Sequence, residues 1–225
     1  MPNVSDSALK DRARQMLIDM TQRERWIYAL PAGAETQAAL SGTLSDAGLP
    51  EVDSGADGRV RKYQDGSGKM HILVFEHSAL GVVLVEARGG TVVPFMQKLL
   101  EATSFIPQSQ LWATALDVTN ENTTRSLTTL AHMAVAWDED WADLFILHLA
   151  SPDPIVRNEA TKSLVLAAMV SAETADALTI LGEAHKRERY PKLRDTMAEA
   201  IRVVEAFAGE PLSWFEAPQA PDAGL

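Results

Sequence analysis

Lys69 follows Gly66-Ser67-Gly68. Glycines ahead of a lysine are the ingredients of a phosphate-binding loop, in which freed backbone N–H groups and the ammonium close on the phosphates. Such a loop also needs a glycine five residues before the Gly-Lys pair and a Ser or Thr after the lysine to reach magnesium. Tyr63 and Met70 stand in those places, so Asp65-Gly66-Ser67-Gly68 reads as a hairpin turn. Gly89-Gly90 precedes an apolar helical pattern, where backbone N–H groups could meet an anion. No further glycine follows at the dinucleotide spacing, and a turn is favoured there too.

The five histidines do not assemble into a metal site. His71 and His77 fall on one face of a strand but about 20 Å apart, too far to share an ion. His148 and His185 occupy equivalent places near helix ends, where an imidazole can bond to the last carbonyls. The chain has no cysteine, which excludes disulfides, thiolate zinc sites and a cysteine nucleophile. No nucleophile and base stand at a recognisable spacing. The expectation is a non-enzymatic protein without catalytic, cofactor-binding or metal residues.

Two charged surfaces remain. Trp137-Asp138-Glu139-Asp140-Trp141 places three acids between two indoles at the start of a helix. Acids favour a helix N-terminus through its dipole, and Trp141 fits the apolar face. The same five residues also have the composition of a partner-binding patch with an aromatic anchor for a basic protein. Lys186-Arg187-Glu188-Arg189, with Lys192 and Arg194, has the opposite sign. It reads first as the usual basic helix C-terminus, with a minor anion-binding role as the alternative.

The elements that would position these residues divide into an α/β part and a helical part. Ser5-Asp6-Ser7 offers an N-cap to a helix with Leu9, Ala13, Met16, Met20 and Ile27 on one side, stopped by Pro31. A second helix spans Glu35–Asp46, and Glu51–Gly58 reads as a loop. From Arg59 the apolar period becomes two, which predicts strands over Arg59–Gln64, Lys69–His77 and Gly81–Ala87, an antiparallel meander. A helix follows near Val92–Thr103. Leu111–Val118 fits either a strand or a helix. The expected divisions are an α/β domain over 1–118, a helical region over 119–209, and a mostly disordered tail over 210–225. Leu212, Trp214 and Phe215 in that tail could dock on the last helix pair. The fold class is α+β: N-terminal helices with a small antiparallel meander, then an antiparallel helical array.

In the helical part a pattern recurs after 37 residues. Asp153-Pro154-Ile155-Val156-Arg157 is echoed by Tyr190-Pro191-Lys192-Leu193-Arg194. The echo continues through Ala160/Met197, Leu164/Ile201, Ala167/Val204 and Val170/Phe207, steps of three or four that mark one helical face. It runs backward through Trp141/Leu178, Leu144/Leu181, Phe145/Gly182 and His148/His185. Each unit is a helix, a turn with proline, and a second helix with arginine in its first turn. This turn with its flanking helices resembles the HEAT repeat over residues 138–207. The resemblance implies an interaction scaffold in which Asp153, Arg157 and Arg194 tie repeats together by charge-assisted hydrogen bonds. Tyr190 departs from the pattern, which leaves Asp153 or Glu188 as the acidic partner.

The 225 residues carry a net charge of −11. Residues 137–207 hold 13 acids and 8 bases, a field that disfavours a nucleic-acid backbone and would steer a basic partner. No apolar run approaches the ~20 residues of a membrane span, and the N-terminus lacks a signal-peptide layout. A cytoplasmic bacterial-type protein is expected. The leading functional expectation is an acidic protein-interaction module: an immunity or inhibitor protein that neutralises a toxin by direct binding. A secretion or assembly chaperone is the alternative. A HEAT-like DNA glycosylase or another repeat-type enzyme is the reading from a different class, against which the acidic repeat segment speaks.

Overall fold

The computed structural model describes residues 25–55, 58–89 and 92–207. The helix expected from Ser5 up to residue 24, and the expected tail with Leu212, Trp214 and Phe215, lie outside the described residues. Packing divides the chain into a sheet unit, residues 25–77 with 83–104, and a helical unit dominated by residues 105–207. That division falls before the junction at residue 118 read from the sequence.

The sheet unit runs β1 (Arg25–Pro31), α1 (Ala34–Asp46), β2 (Glu51–Ser54), β3 (Val60–Gln64), β4 (His71–His77), β5 (Val82–Arg88) and α2 (Val92–Ala102). Its five strands form an antiparallel sheet in the order β1-β5-β4-β3-β2. The meander is present as expected, with Val60 opposite Phe75 and Tyr63 opposite Ile72. Two strands were not anticipated. Arg25–Pro31 is a strand rather than the end of a helix: Trp26 and Leu30 join the main core, while Ile27 and Ala29 are buried on the other face. Burial on both faces removes the alternation that marks a half-buried strand. Glu51–Ser54, read as loop, is an edge strand paired with β3 and bulged between Glu51 and Asp53. All four of its residues are exposed, so no apolar pattern announces it.

One sheet face, with Tyr63, Ile72, Val74, Val83, Val85 and Ala87, packs with Leu40 and Leu44 of α1 and Phe95, Met96 and Leu99 of α2. The glycine-rich stretches are structural. Asp65 Oδ1 accepts from the backbone N–H groups of Lys69 (2.8 Å) and Met70 (3.0 Å), and its other oxygen accepts from the Ser67 hydroxyl (2.6 Å). The N–H groups of Lys69 and Met70 are thereby occupied, and that of Gly68 bonds to the Asp65 carbonyl. Gly89 has φ 111°, and a Cβ there would lie 1.9 Å from the Lys69 carbonyl oxygen. Only glycine allows that approach.

The helical unit contains α3 (Gln108–Leu116), α4 (Thr123–His132), α5 (Glu139–Leu149), α6 (Pro154–Ser171), α7 (Thr174–Arg187) and α8 (Pro191–Ala206). Leu111–Val118 resolves as helix through Leu116, because Leu111 and Ala115 share the buried side. The expected hairpins α5/α6 and α7/α8 are both present and stack, with α6 against α8 and α5 against α7. A third hairpin precedes them: α3 packs with α4, and α4 with α6. It lacks the Asp-Pro turn. The Thr123 hydroxyl closes its start instead, donating toward the carbonyls of Asp117 and Asn120.

Candidate functional site

The Asp-Pro-x-Val-Arg turn is a scaffold joint. Asp153 caps α6 by accepting from the Ile155 N–H at 2.8 Å, with Pro154 in the first turn where its missing N–H costs nothing. Arg157 grips Glu188 in a bidentate pair, Nε to Oε2 at 2.7 Å and Nη2 to Oε1 at 2.9 Å. Its Nη1 donates to the carbonyls of Ser151 and Pro152. Glu188 also accepts from the Tyr190 N–H at 2.8 Å, so one buried carboxylate organises the turn from α7 into α8. The hydrogen bond from Arg157 holds the Glu188 carboxyl below its ordinary range, and Glu188 raises the guanidinium. Glu188 is thus the acidic partner rather than Asp153. Arg194, the matched arginine, is exposed, and among the described residues its side chain makes no hydrogen bond or ion pair.

The expected partner-binding group splits into a buried part and an exposed part. Trp141 is only 4% exposed, packed edge-on to Trp112 at 4.9 Å and stacked with Phe145 at 6.3 Å. It is core, and cannot touch a partner. Trp137 is half-buried, lies over Phe145 at 5.9 Å, and donates its indole N–H to Asp176 on α7 at 3.2 Å. Asp138 is the N-cap of α5 and accepts from the Trp141 N–H. Glu139 and Asp140 are exposed, and with Asp143 they make no side-chain hydrogen bond or ion pair among the described residues.

The histidine pair also divides. His148 is fully buried and its Nε2 bonds to the carbonyl oxygen of Ala115, at the end of α3, at 2.9 Å. The imidazole satisfies an orphan carbonyl of the neighbouring hairpin rather than of its own helix. Burial pushes its pKa down, partly offset by that hydrogen bond. His185 is half-exposed. His71 bonds locally to the Gly68 carbonyl oxygen, whereas His77 packs on Phe75 at 5.4 Å. Among the described residues no group of three or more His, Cys, Asp or Glu could hold a metal ion.

A surface the sequence reading missed lies between α5 and α7. The two helices run in the same direction, since Trp137 and Asp176 join their N-terminal ends. Glu139, Asp143, Ile146 and Ala150 follow one outer stripe of α5, and Asp176, Glu183 and Arg187 the matching stripe of α7, with Ile180 on the same line but largely buried. Toward the C-terminal ends the helices part around a cleft of about 490 Å³, lined by Ile146, Leu149, Ile180 and Ala184 with Arg187 and Arg189 at its rim. Ile146 is 49% exposed and the adjacent Leu147 40%. The run Leu144-Phe145-Ile146-Leu147 carried the signal. A helix can turn only part of four successive residues inward, so two of them had to face outward.

Among the described residues no helix is long and apolar enough to cross a membrane. No protein-family model, curated protein or solved structure matches this chain. The likeness to HEAT repeats therefore rests on the turn and on the stacking of the hairpins.

Proposed function

We propose that this chain is a non-enzymatic binding protein of the cytoplasm, and that its helical array inhibits a basic toxin by covering it, as an immunity protein does. The observation that supports binding is the outer face of α5 and α7. It leaves Ile146 and Leu147 exposed beside three carboxylates, Glu139, Asp140 and Asp143, that make no ion pair among the described residues. Clustered exposed apolar side chains rimmed by charge mark interaction surfaces more than they stabilise a free protein. The Asp138–Asp140 turn and the net charge of −11 favour a basic partner, because complementary charge raises association rates and penalises wrong partners. Trp137, half-buried and held by Asp176, is the aromatic edge available there.

The inhibitor role is tested by co-expressing the chain with the product of its adjacent gene and titrating that product's enzymatic activity. Stoichiometric loss of activity, weakened when Glu139, Asp140 and Asp143 are changed to lysine, is the expected result. A complex whose partner keeps full activity would replace inhibition with the chaperone reading. Absence of any complex would remove the assignment to that partner.

A further inference from the structure

The α5/α7 groove is graded along its length. At the N-terminal ends stand Glu139, Asp143 and Asp176, all exposed. The middle holds exposed Ile146 and, at the cleft floor, the largely buried Ile180, with Glu183 beside them paired to Lys186 at 2.7 Å. At the far end stand Arg187, which reaches Glu183 only at 3.8 Å, and Arg189, exposed and making no ion pair or side-chain hydrogen bond among the described residues.

From this gradient we infer that the groove binds an amphipathic α-helix of a partner protein, lying antiparallel to α5 and α7. Helices ordinarily carry acids in their first turn and bases in their last, because the backbone dipole favours that order. A helix entering with its N-terminus at Arg187 and Arg189 would set its acids against the guanidiniums. Its basic C-terminal turn would then reach Glu139, Asp143 and Asp176, and the opposite orientation would place like charges together. The stripe from Glu139 to Ala150 is about 17 Å long at the helical rise, room for about three turns. Such a helix presents anchors at i, i+3 or i+4, and i+7 to the middle of the groove. The inference rests on the binding reading above and adds the occupant's form, direction and charge order.

Two synthetic helical peptides test it on the intact chain by fluorescence anisotropy. Both carry the same three leucine anchors; one has glutamates in its first turn and lysines in its last, the other the reverse. The acid-first peptide should bind about tenfold more tightly, with the preference shrinking as salt screens the charges. The exposed substitution Ile146→Lys should abolish binding while the circular dichroism spectrum is kept. The double change Arg187→Glu and Arg189→Glu should reverse or erase the preference. Equal affinity for the two peptides, or binding to neither, would overturn the inference. Sedimentation equilibrium supplies the remaining arm: a dimer of the wild-type chain that Ile146→Lys dissociates would assign the groove to a second copy instead. If a partner protein binds the chain and Ile146→Lys leaves its affinity unchanged, the groove inference fails while the binding function stands. If no protein partner binds, the broader reading fails.

Discussion

The second helices of the two matched hairpins keep one buried face, whereas the first helices do not. In α6 and α8, Ala160 and Met197 are both buried, as are Ala167 and Val204, each pair at the 37-residue spacing. In α5 the buried set is Trp141, Leu144, Phe145, His148 and Leu149, but in α7 it is Ala177, Ile180 and Leu181. Of the matched positions in the first helices, only Leu144 and Leu181 are buried in both. The repeat is therefore held in register by the inner row, where α4, α6 and α8 stack. The outer helices turn different matched positions inward, and α5 leaves Ile146 and Leu147 exposed beside the cleft.

The sharpest way to break this comparison is at the matched pair Phe145 and Gly182. Phe145 is fully buried among the indoles, so Phe145→Ala should cost about 3–5 kcal/mol by loss of burial and creation of a cavity. A Cβ at Gly182 would meet nothing within 4 Å. Gly182→Ala should instead stabilise the protein, by up to about 1 kcal/mol, through helix propensity and a less flexible unfolded chain. Urea unfolding measures both. Equal and same-signed changes would mean that the two outer helices are equivalent after all.

The arginines provide the next largest contrast. Arg157→Ala leaves the Glu188 carboxylate buried without its partner and should cost about 2–4 kcal/mol. Arg194→Ala removes an exposed side chain and should stay within about 0.5 kcal/mol. Double substitution of Arg157 and Glu188 should recover part of the first loss in a mutant cycle.

Protonation separates two parts of the array by pH. The Glu188 pKa is lowered in the folded protein from an ordinary 4.5, chiefly by the Arg157 hydrogen bond. Its contribution is present above the unfolded value and is lost as pH falls through the folded one. The His148 pKa is also lowered, by burial, from 6.5. Between the folded and unfolded values the unfolded chain binds the extra proton, so stability is full above about pH 6.5 and declines as pH falls below it. His148→Gln should lessen the decline of the chemical-denaturation midpoint just below about pH 6.5, the remainder belonging to His77, whose pKa burial also lowers, and Glu188→Gln should act only at lower pH. A decline below about pH 6.5 that is as steep in His148→Gln as in the wild type would assign that titration elsewhere, to His77 first.

How much of this was legible follows from what each residue faces. The inner helices carry a period that survives in sequence because one side of each meets the core, whereas β5, buried on both faces, was legible as a continuous apolar run from Val82 to Val85. The Arg157–Glu188 joint was half legible: the turn pattern marked the arginine, but the acid sits inside a basic run, Lys186-Arg187-Glu188-Arg189. Buried Glu86, which accepts from Arg25 and Arg88 at 2.7 and 2.8 Å, was not legible at all. Arg88 lies two residues along the same strand, but Arg25 stands on the neighbouring β1, far away in sequence. β1 lacked alternation because both its faces are buried, and β2 because neither is. The third hairpin has no Asp-Pro turn to echo the others. The groove required knowing which positions the outer helices turn inward, which no linear period encodes.

The smallest test restores what the second copy lost. Asp153 caps α6 through its side chain, whereas Tyr190 at the equivalent position of α8 makes no capping hydrogen bond and is 52% exposed. The first turns of α8 contain Lys192 and Arg194, cations placed unfavourably at the positive end of a helix dipole. Tyr190→Asp supplies both a cap and a negative charge, and should stabilise the protein by about 0.5–1 kcal/mol. Asp153→Ala should lose a similar amount, about 1 kcal/mol. Glu188 Oε1 already accepts from the Tyr190 N–H, and the substitution leaves that backbone bond untouched. If Tyr190→Asp gains nothing while Asp153→Ala still destabilises, the α8 terminus departs from the α6 terminus in backbone geometry, and the likeness between the two turns ends at their sequence.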